Sequence, residues 1–279
     1  MPKDKNSKLE TRNSKLITAR DNSLLRRARA VRDGKIDDVI FVEGLRLCEE
    51  ALSSKLEIEA LIYTDHIARK DRAANLIQSL NSVAKSSAEV SEKLLESFSY
   101  TKTPQGIVVL AARPTNDESS FAAKQPKSPL VVVLHEINNP VNVGAIVRTA
   151  EAAGATGIIA TANTADPFSP KALRGAMGSA FRVPIWRGPS FNETVEWCHT
   201  RKIQTIAADL SGSATHTEYD WRKSSALIVG RESTGLSPEE LAVADASVRI
   251  PMHAAAESLN VAVATGIILF EAARQRAPN

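Results

Sequence analysis

Six short apolar runs constrain this chain more than anything else in it: residues 130–134, 157–160, 183–186, 203–207, 226–229 and 247–250. Each is bounded by polar loops or by stretches with helical spacing. Helices are predicted over 142–153, around 171–179, and over 191–201 and 238–244. The runs are too short for helices, and all but 203–207 and 247–250, which carry polar residues, are too continuous for strands with one wet face. They predict strands buried on both sides, and so a mostly parallel sheet covered by helices on both faces. In an open sheet of that kind, ligands sit beyond the carboxyl ends of the strands.

The first half reads differently. Residues 1–20 carry no periodicity and are expected to be disordered. A basic helix is predicted over 22–32, with Leu24, Leu25, Ala28 and Val31 on one face. Strands are predicted at 39–42, 60–63 and 107–111, and helices at 45–53, 69–80 and 91–97, the last capped by Ser91. Residues 113–129 hold Pro114, Pro126 and Pro129 among polar residues with little to bury, which predicts a linker. The expected plan is a basic arm and helix (1–35), a small α/β domain (36–112), a linker (113–129) and the parallel-sheet domain (130–279).

Charge is uneven along this plan. Residues 1–35 hold eleven lysines and arginines against four acids, while the whole chain carries only +3. A basic arm on a mildly acidic body suits a polyanion partner, and equally a solvated terminus. The longest apolar run, 259–270, is too short to span a bilayer, and no secretory leader is read at the start. Cys48 and Cys198 match no zinc spacing, and the five histidines show no metal spacing. The expectation is a reduced cytoplasmic protein with no metal.

Three predicted strand ends carry polar residues that a scaffold does not need. The first runs from Asn138 to Arg148, where Asn142 is expected to cap a helix and Arg148 projects from it. An arginine this near a helix start opposes the macrodipole, so either an anionic partner or simple surface exposure must account for it. The second runs from Gly230 to Pro238. Its glycines, Gly230 and Gly235, flank Glu232 and let backbone approach a ligand. It lacks the lysine of a P-loop, and no Gly-x-Gly-x-x-Gly follows a strand, which disfavours a dinucleotide site. The third runs from Ile250 to Asn260. Pro251 ends a strand, and Ser258 and Asn260 stand at the mouth of a nearly all-apolar helix. Val263, Ile267 and Phe270 have helical spacing there, and a helix this apolar is expected to pack on the sheet. One of the two polar residues is expected to be its cap.

These stretches, in this order, closely resemble the SpoU (TrmH) family of RNA ribose 2′-O-methyltransferases. The first family motif, Asn-x-Gly-x-x-x-Arg, is matched by Asn142, Gly144 and Arg148. The second, Gly-x-Glu-x-x-Gly, is matched by Gly230, Glu232 and Gly235. The third is matched by Ile250, Pro251 and Met252 and then by Ser258, Leu259, Asn260 and Val261. One departure is Arg231, where a small or amide residue is commoner, which would alter the pocket rim. Residues 39–112 resemble the substrate-binding domain often attached to this family, itself similar to ribosomal protein L30e.

The resemblance implies a C-terminal trefoil knot of the SPOUT type, S-adenosylmethionine as cofactor, RNA as substrate and a homodimer formed through the C-terminal domain. It implies cofactor contacts at Ala208, Asp209, Leu210, Gly230, Gly235, Ile250, Met252, Ser258 and Leu259. It makes Arg148, Glu232, Asn142, Ser258 and Asn260 the catalytic set. A ribose hydroxyl is a poor nucleophile until its proton leaves. Arginine stays protonated, so Arg148 is expected to orient a phosphate and stabilise oxyanion charge, with Glu232 fixing Arg148 or the ribose. Ribosomal RNA of the large subunit is the expected substrate. The alternatives are transfer RNA, a base instead of a ribose, and a non-catalytic RNA-binding assembly factor.

Overall fold

A computed structural model describes residues 14–253 and 258–277 of the chain. The chain divides into two units, Met1–Arg113 and Pro114–Asn279.

The first unit runs β1 (Ser14–Ile17), α1 (Ser23–Arg32), β2 (Val39–Glu43), α2 (Leu45–Ser53), β3 (Ile58–Thr64), α3 (Asp65–Ala68), α4 (Asp71–Val83), β4 (Ser86–Val90), α5 (Glu92–Glu96) and β5 (Ile107–Ala112). Its sheet has the order β1-β4-β3-β5-β2, with β5 antiparallel to both neighbours and the other pairs parallel. Two strands were not legible in advance. β1 lies where disorder was expected, and it is held by pairing with β4, whose own residues Ser86, Ser87 and Glu89 hide its strand character. The part of the expected disorder before Ser14 lies outside the described residues. The basic helix α1 is part of the unit's core: Leu25, Ala28 and Val31 share a cluster with Phe41, Ile62 and Leu110. Its basic residues therefore cover a buried stripe. In the same unit the buried Glu43 carboxylate accepts hydrogen bonds from Tyr100 N (2.8 Å), Thr101 N (3.3 Å) and Thr101 Oγ1 (2.7 Å), which orders the loop before β5.

The second unit runs α6 (Glu118–Ala123), β6 (Leu130–Leu134), α7 (Pro140–Ala152), β7 (Gly157–Ala160), α8 (Pro170–Ala176), α9 (Ser179–Arg182), β8 (Ile185–Arg187), α10 (Phe191–Thr200), β9 (Gln204–Ala208), β10 (Ala214–Thr215), β11 (Ser225–Val229), α11 (Pro238–Val243), β12 (Ala246–Arg249) and α12 (Val261–Arg276). Its seven strands are ordered β10-β12-β9-β11-β6-β7-β8, and every pairing is parallel. β6 and β11, at the middle, are buried at every residue. This is the doubly covered sheet that the apolar runs predict.

Four expectations are corrected here. Residues 113–129 contain α6, and Phe121 is fully buried against Trp186 and Trp197, with ring centroids 6.0 and 5.4 Å away. One aromatic anchors a stretch whose composition reads as linker. Asn142 does not cap α7. Pro140 needs no backbone partner at the first helical position, so the helix begins there and Asn139 caps it, accepting from Val141 N at 3.0 Å. The predicted helix around 171–179 breaks at Met177 and Gly178, both with left-handed backbone. Finally, α12 buries Thr265, Ile268, Leu269 and Ala272, while Val263, Ile267 and Phe270 are 51%, 37% and 54% exposed. An apolar stripe expected to meet the sheet faces outward, because the helix is apolar all round and spacing alone cannot choose its buried side.

Candidate active site

The three polar strand ends meet at one place. Asn142 is buried on the first turn of α7. Its Nδ2 donates to Glu232 Oε1 at 3.1 Å, and its Oδ1 accepts from Asn260 Nδ2 at 3.1 Å. Asn260 caps α12 with its Oδ1, accepting from Ala262 N (2.9 Å) and Val263 N (3.3 Å). It is thus both the expected cap and a site residue. Glu232 also accepts from Asn138 N (3.2 Å, Oε2) and Asn139 N (3.1 Å, Oε1). Burial works against its charge, but the Asn142 amide and these backbone N–H groups prevail and hold its carboxyl below the usual range. One hydrogen-bonded chain, Asn260 to Asn142 to Glu232, therefore ties together segments about ninety and more residues apart.

Two adjoining clefts share this wall. The deeper is lined by residues 208–210, Gly230, Gly235, Ile250, Met252, Ser258 and Leu259, the full set assigned to a cofactor by resemblance. The shallower is lined by Asn138, Asn142, Lys171 and Asn260. Glu232, Ser258, Leu259 and Val261 line both. Gly230 has a packing reason as well. A Cβ there would lie 2.7 Å from the Gly235 carbonyl carbon, so only glycine lets the loop fold back on itself.

The deeper cleft joins apolar side chains such as Val229, Ile250 and Ile268 to polar groups that include Asp209, Glu232 and Ser258. Leu210 is 62% exposed at its edge, leaving apolar surface for a flat ring to cover. Among the described residues, no protein group takes up the backbone N–H of Leu210, Ile250 or Met252. Backbone N–H groups left free in this way are of the kind that can orient a ligand in a pocket.

Arg231 does not form a free rim. Its guanidinium turns away and donates to Glu136 Oε2 (2.6 Å) and to both oxygens of Glu240 (3.0 and 2.9 Å). Buried His135 closes the network, with Nε2 2.8 Å from Glu240 Oε1. Arg231, then the Ser237 backbone and His135, hold the Glu240 carboxyl down at about 2 against the opposing effect of burial. This network pins the loop that carries Glu232.

Arg148 stands apart. It is exposed on α7, lines neither cleft, and has no hydrogen bond or ion pair among the described residues. Of the two partners expected for Glu232, it is not one. It shares a helix face with Val141, seven residues earlier and 45% exposed. Lys171, which spacing did not single out, is the cation that lines the shallower cleft. Its signal was available in Ser169-Pro170-Lys171, a capped helix start at the end of the polar loop that follows the 157–160 strand.

A profile of the SpoU rRNA Methylase family matches residues 129–270. The chain belongs to the SpoU family. A profile of the MRM3-like substrate binding domain matches residues 25–109. The 23S rRNA (guanosine(2553)-2'-O)-methyltransferase RlmP of Bacillus subtilis is 30% identical over 235 residues, 84% of this chain and 88% of that protein. A 23S rRNA (uridine(2479)-2'-O)-methyltransferase of Streptomyces viridochromogenes is 30% identical over 241 residues, 85% of this chain and 83% of that protein. The crystal structure of an AdoMet-bound rRNA methyltransferase from Sinorhizobium meliloti superposes with a TM-score of 0.81 at 32% identity, covering 94% of this chain and 98% of that one. Within the SpoU fold, Asn142 of the first motif and the second and third motifs of this chain meet at the two clefts, while Arg148 lies outside them.

Proposed function

We propose that this chain methylates the 2′-hydroxyl of a ribose in large-subunit ribosomal RNA, with S-adenosylmethionine in the deeper cleft and the ribose in the shallower one. The observation that carries this reading is the Asn260–Asn142–Glu232 chain standing between two adjoining clefts. The SpoU relatives named above act on 23S rRNA, which favours ribosomal RNA. When bound, the cofactor supplies a methyl group on a sulfonium centre.

The residues then divide the work. A carboxylate has about four lone-pair positions. Glu232 spends three on Asn138, Asn139 and Asn142, which leaves Oε2 open to a ribose hydroxyl. Held below the usual carboxylate range, it stays charged and orients the sugar; it is a poor proton acceptor. The proton of the 2′-hydroxyl would leave to the neighbouring RNA phosphate as the methyl carbon passes from sulfur to that oxygen, the carbon–sulfur bond breaking as the carbon–oxygen bond forms. Arg148 stabilises the oxyanion character that develops.

Arg148 does this for a second copy of the chain. Val141, Val263, Ile267 and Phe270 are exposed on α7 and α12, the helices that carry Asn142 and are capped by Asn260. An apolar face of this kind supports a homodimer formed through the second unit. Arg148 lies on the Val141 face, outside its own clefts. A trefoil knot is part of the same reading. It is supported by the order of the chain: β12 inserts between β10 and β9, and segments on both sides of that insertion line the deeper cleft. The first unit, L30e-like in this reading, selects the RNA, and its loop before β5, ordered by Glu43, presents Tyr100 and Lys102. No helix among the described residues is long and apolar enough to cross a membrane. We place the protein with ribosomal RNA in the cytoplasm.

The test is transfer of labelled methyl to unmodified total RNA, with ribosomal and transfer RNA separated and the product digested to nucleosides. Label in 2′-O-methyl nucleosides of large-subunit RNA, lost in Arg148→Ala, is expected. Label in a base, or confined to transfer RNA, would overturn the substrate. No transfer and no cofactor binding would favour an RNA-binding factor.

A further inference from the structure

We infer that Lys171 is the phosphate-binding residue of the acceptor cleft, seating the RNA backbone beside the ribose that is methylated. The inference rests on the ribose-methylating reading and assigns one side chain of that site.

The cleft that adjoins the cofactor cleft holds one carboxylate, Glu232, and neutral amides and hydroxyls around it. Such a lining repels a polyanion unless a cation offsets it. Among the described residues Lys171 is the cation lining it, and it forms no hydrogen bond or ion pair there. The cation of the neighbouring cleft, Arg231, is consumed by Glu136 and Glu240. Arg148 lines neither cleft. The helix does not account for Lys171, since the first turn is the unfavourable end for a cation.

Its backbone is also fixed where the site needs it. α7 and α8 cross in backbone contact: a Cβ on Gly144 would lie 2.3 Å from the Ala172 carbonyl oxygen, and one on Gly175 would lie 3.2 Å from the Gly144 Cα. Lys171 precedes Ala172 at that crossing, and Asn142 lies two residues before Gly144. The crossing therefore sets the lysine and the Asn142–Glu232 pair on one wall. A ribose whose 2′-hydroxyl meets Glu232 has its own 3′-phosphate within a few bonds, and a lysine suits it as a point charge.

The experiment compares wild type, Lys171→Ala and Lys171→Arg in methyl transfer to unmodified ribosomal RNA over a range of salt. Cofactor affinity is measured alongside by calorimetry. In Lys171→Ala, kcat/KM is expected to fall about tenfold to a hundredfold, as for a lost charge-assisted hydrogen bond. The slope of log kcat/KM against log salt should become shallower by about 0.7 to 1, as for one lost phosphate contact. Cofactor affinity should stay within twofold, and Lys171→Arg should restore the slope. An unchanged kcat/KM would overturn the inference. So would a fall with an unchanged slope, which would mean that Lys171 only supports α8. Failure of the parent reading is separable, because the wild type would then transfer no methyl to ribose.

Discussion

Asn142 uses both halves of one amide, the N–H toward Glu232 and the oxygen toward Asn260. Alanine at this position removes a hydrogen bond to the Glu232 carboxylate and one to the Asn260 amide, a loss of about 1–3 kcal/mol. Asn142→Ala should slow methyl transfer about tenfold to a hundredfold if that cost falls on the transition state. Asn142→Asp should be worse, since it sets a second carboxylate against Glu232. Steady-state kinetics decide the point, and an aspartate variant with near-normal turnover would remove Asn142 from the site. Arg231 makes a prediction in pH. The Glu240 carboxyl lies near 2 in the folded chain against 4.5 ordinarily, mainly through Arg231. A depressed carboxyl stabilises the fold fully above its unfolded value and loses that contribution as pH falls through its folded value. Arg231→Ala should therefore lower the urea midpoint at pH 7, and its gap from the wild type should narrow from about pH 4.5 toward pH 2. A gap of constant size would mean that packing, not the ion pair, is what Arg231 contributes.

At the scale of elements, the crossing of α7 and α8 carries the most strain-sensitive contact. The Gly144 Cβ position lies against a backbone oxygen, which no rotamer change can clear. Gly144→Ala should destabilise the chain by about 1–3 kcal/mol, as overpacking does. It should also raise the KM for RNA, because Asn142 and Lys171 move with the two helices. Thermal unfolding and kinetics on one preparation test both. Normal RNA affinity in a destabilised variant would separate the crossing from the site. The strands show how far spacing reaches. β6, β7 and β11 are apolar enough to be recognised from four or five residues. β1 and β10 are not, because they are short edge strands, and β4 is not, because Ser86, Ser87 and Glu89 hide an interior strand; only their partners make them strands.

For the whole molecule, the outward stripe on α12 is the feature with the widest consequences. Ile267→Asp puts a charge at its middle without disturbing the buried side of the helix. Sedimentation should then show a monomer where the wild type is a dimer, with the thermal midpoint of the monomer little changed. Methyl transfer should fall with the dimer if, as proposed, Arg148 acts in the partner's cleft. Mixing Arg148→Ala with Asn142→Ala chains should recover part of the activity through mixed dimers. A monomeric wild type, or no recovery on mixing, would overturn the action of Arg148 across a dimer.

Period and composition were enough to determine the parallel sheet, the division into two halves in character, and the polar strand ends worth watching. Those properties live in local spacing, where apolar runs and proline or glycine breaks act over a few residues. The three motifs also stood in the sequence by resemblance, but what they do to one another did not. Only the tertiary structure decided that Asn142 is a link and not a cap, that Glu232 turns to Asn142 and not to Arg148, that Arg231 is spent on Glu136 and Glu240, and which side of α12 is buried. Each depends on partners far away in the chain, brought within about 3 Å by the order of strands in the sheet. A hydrogen bond's direction is a fact of distance and angle, and sequence spacing does not encode it.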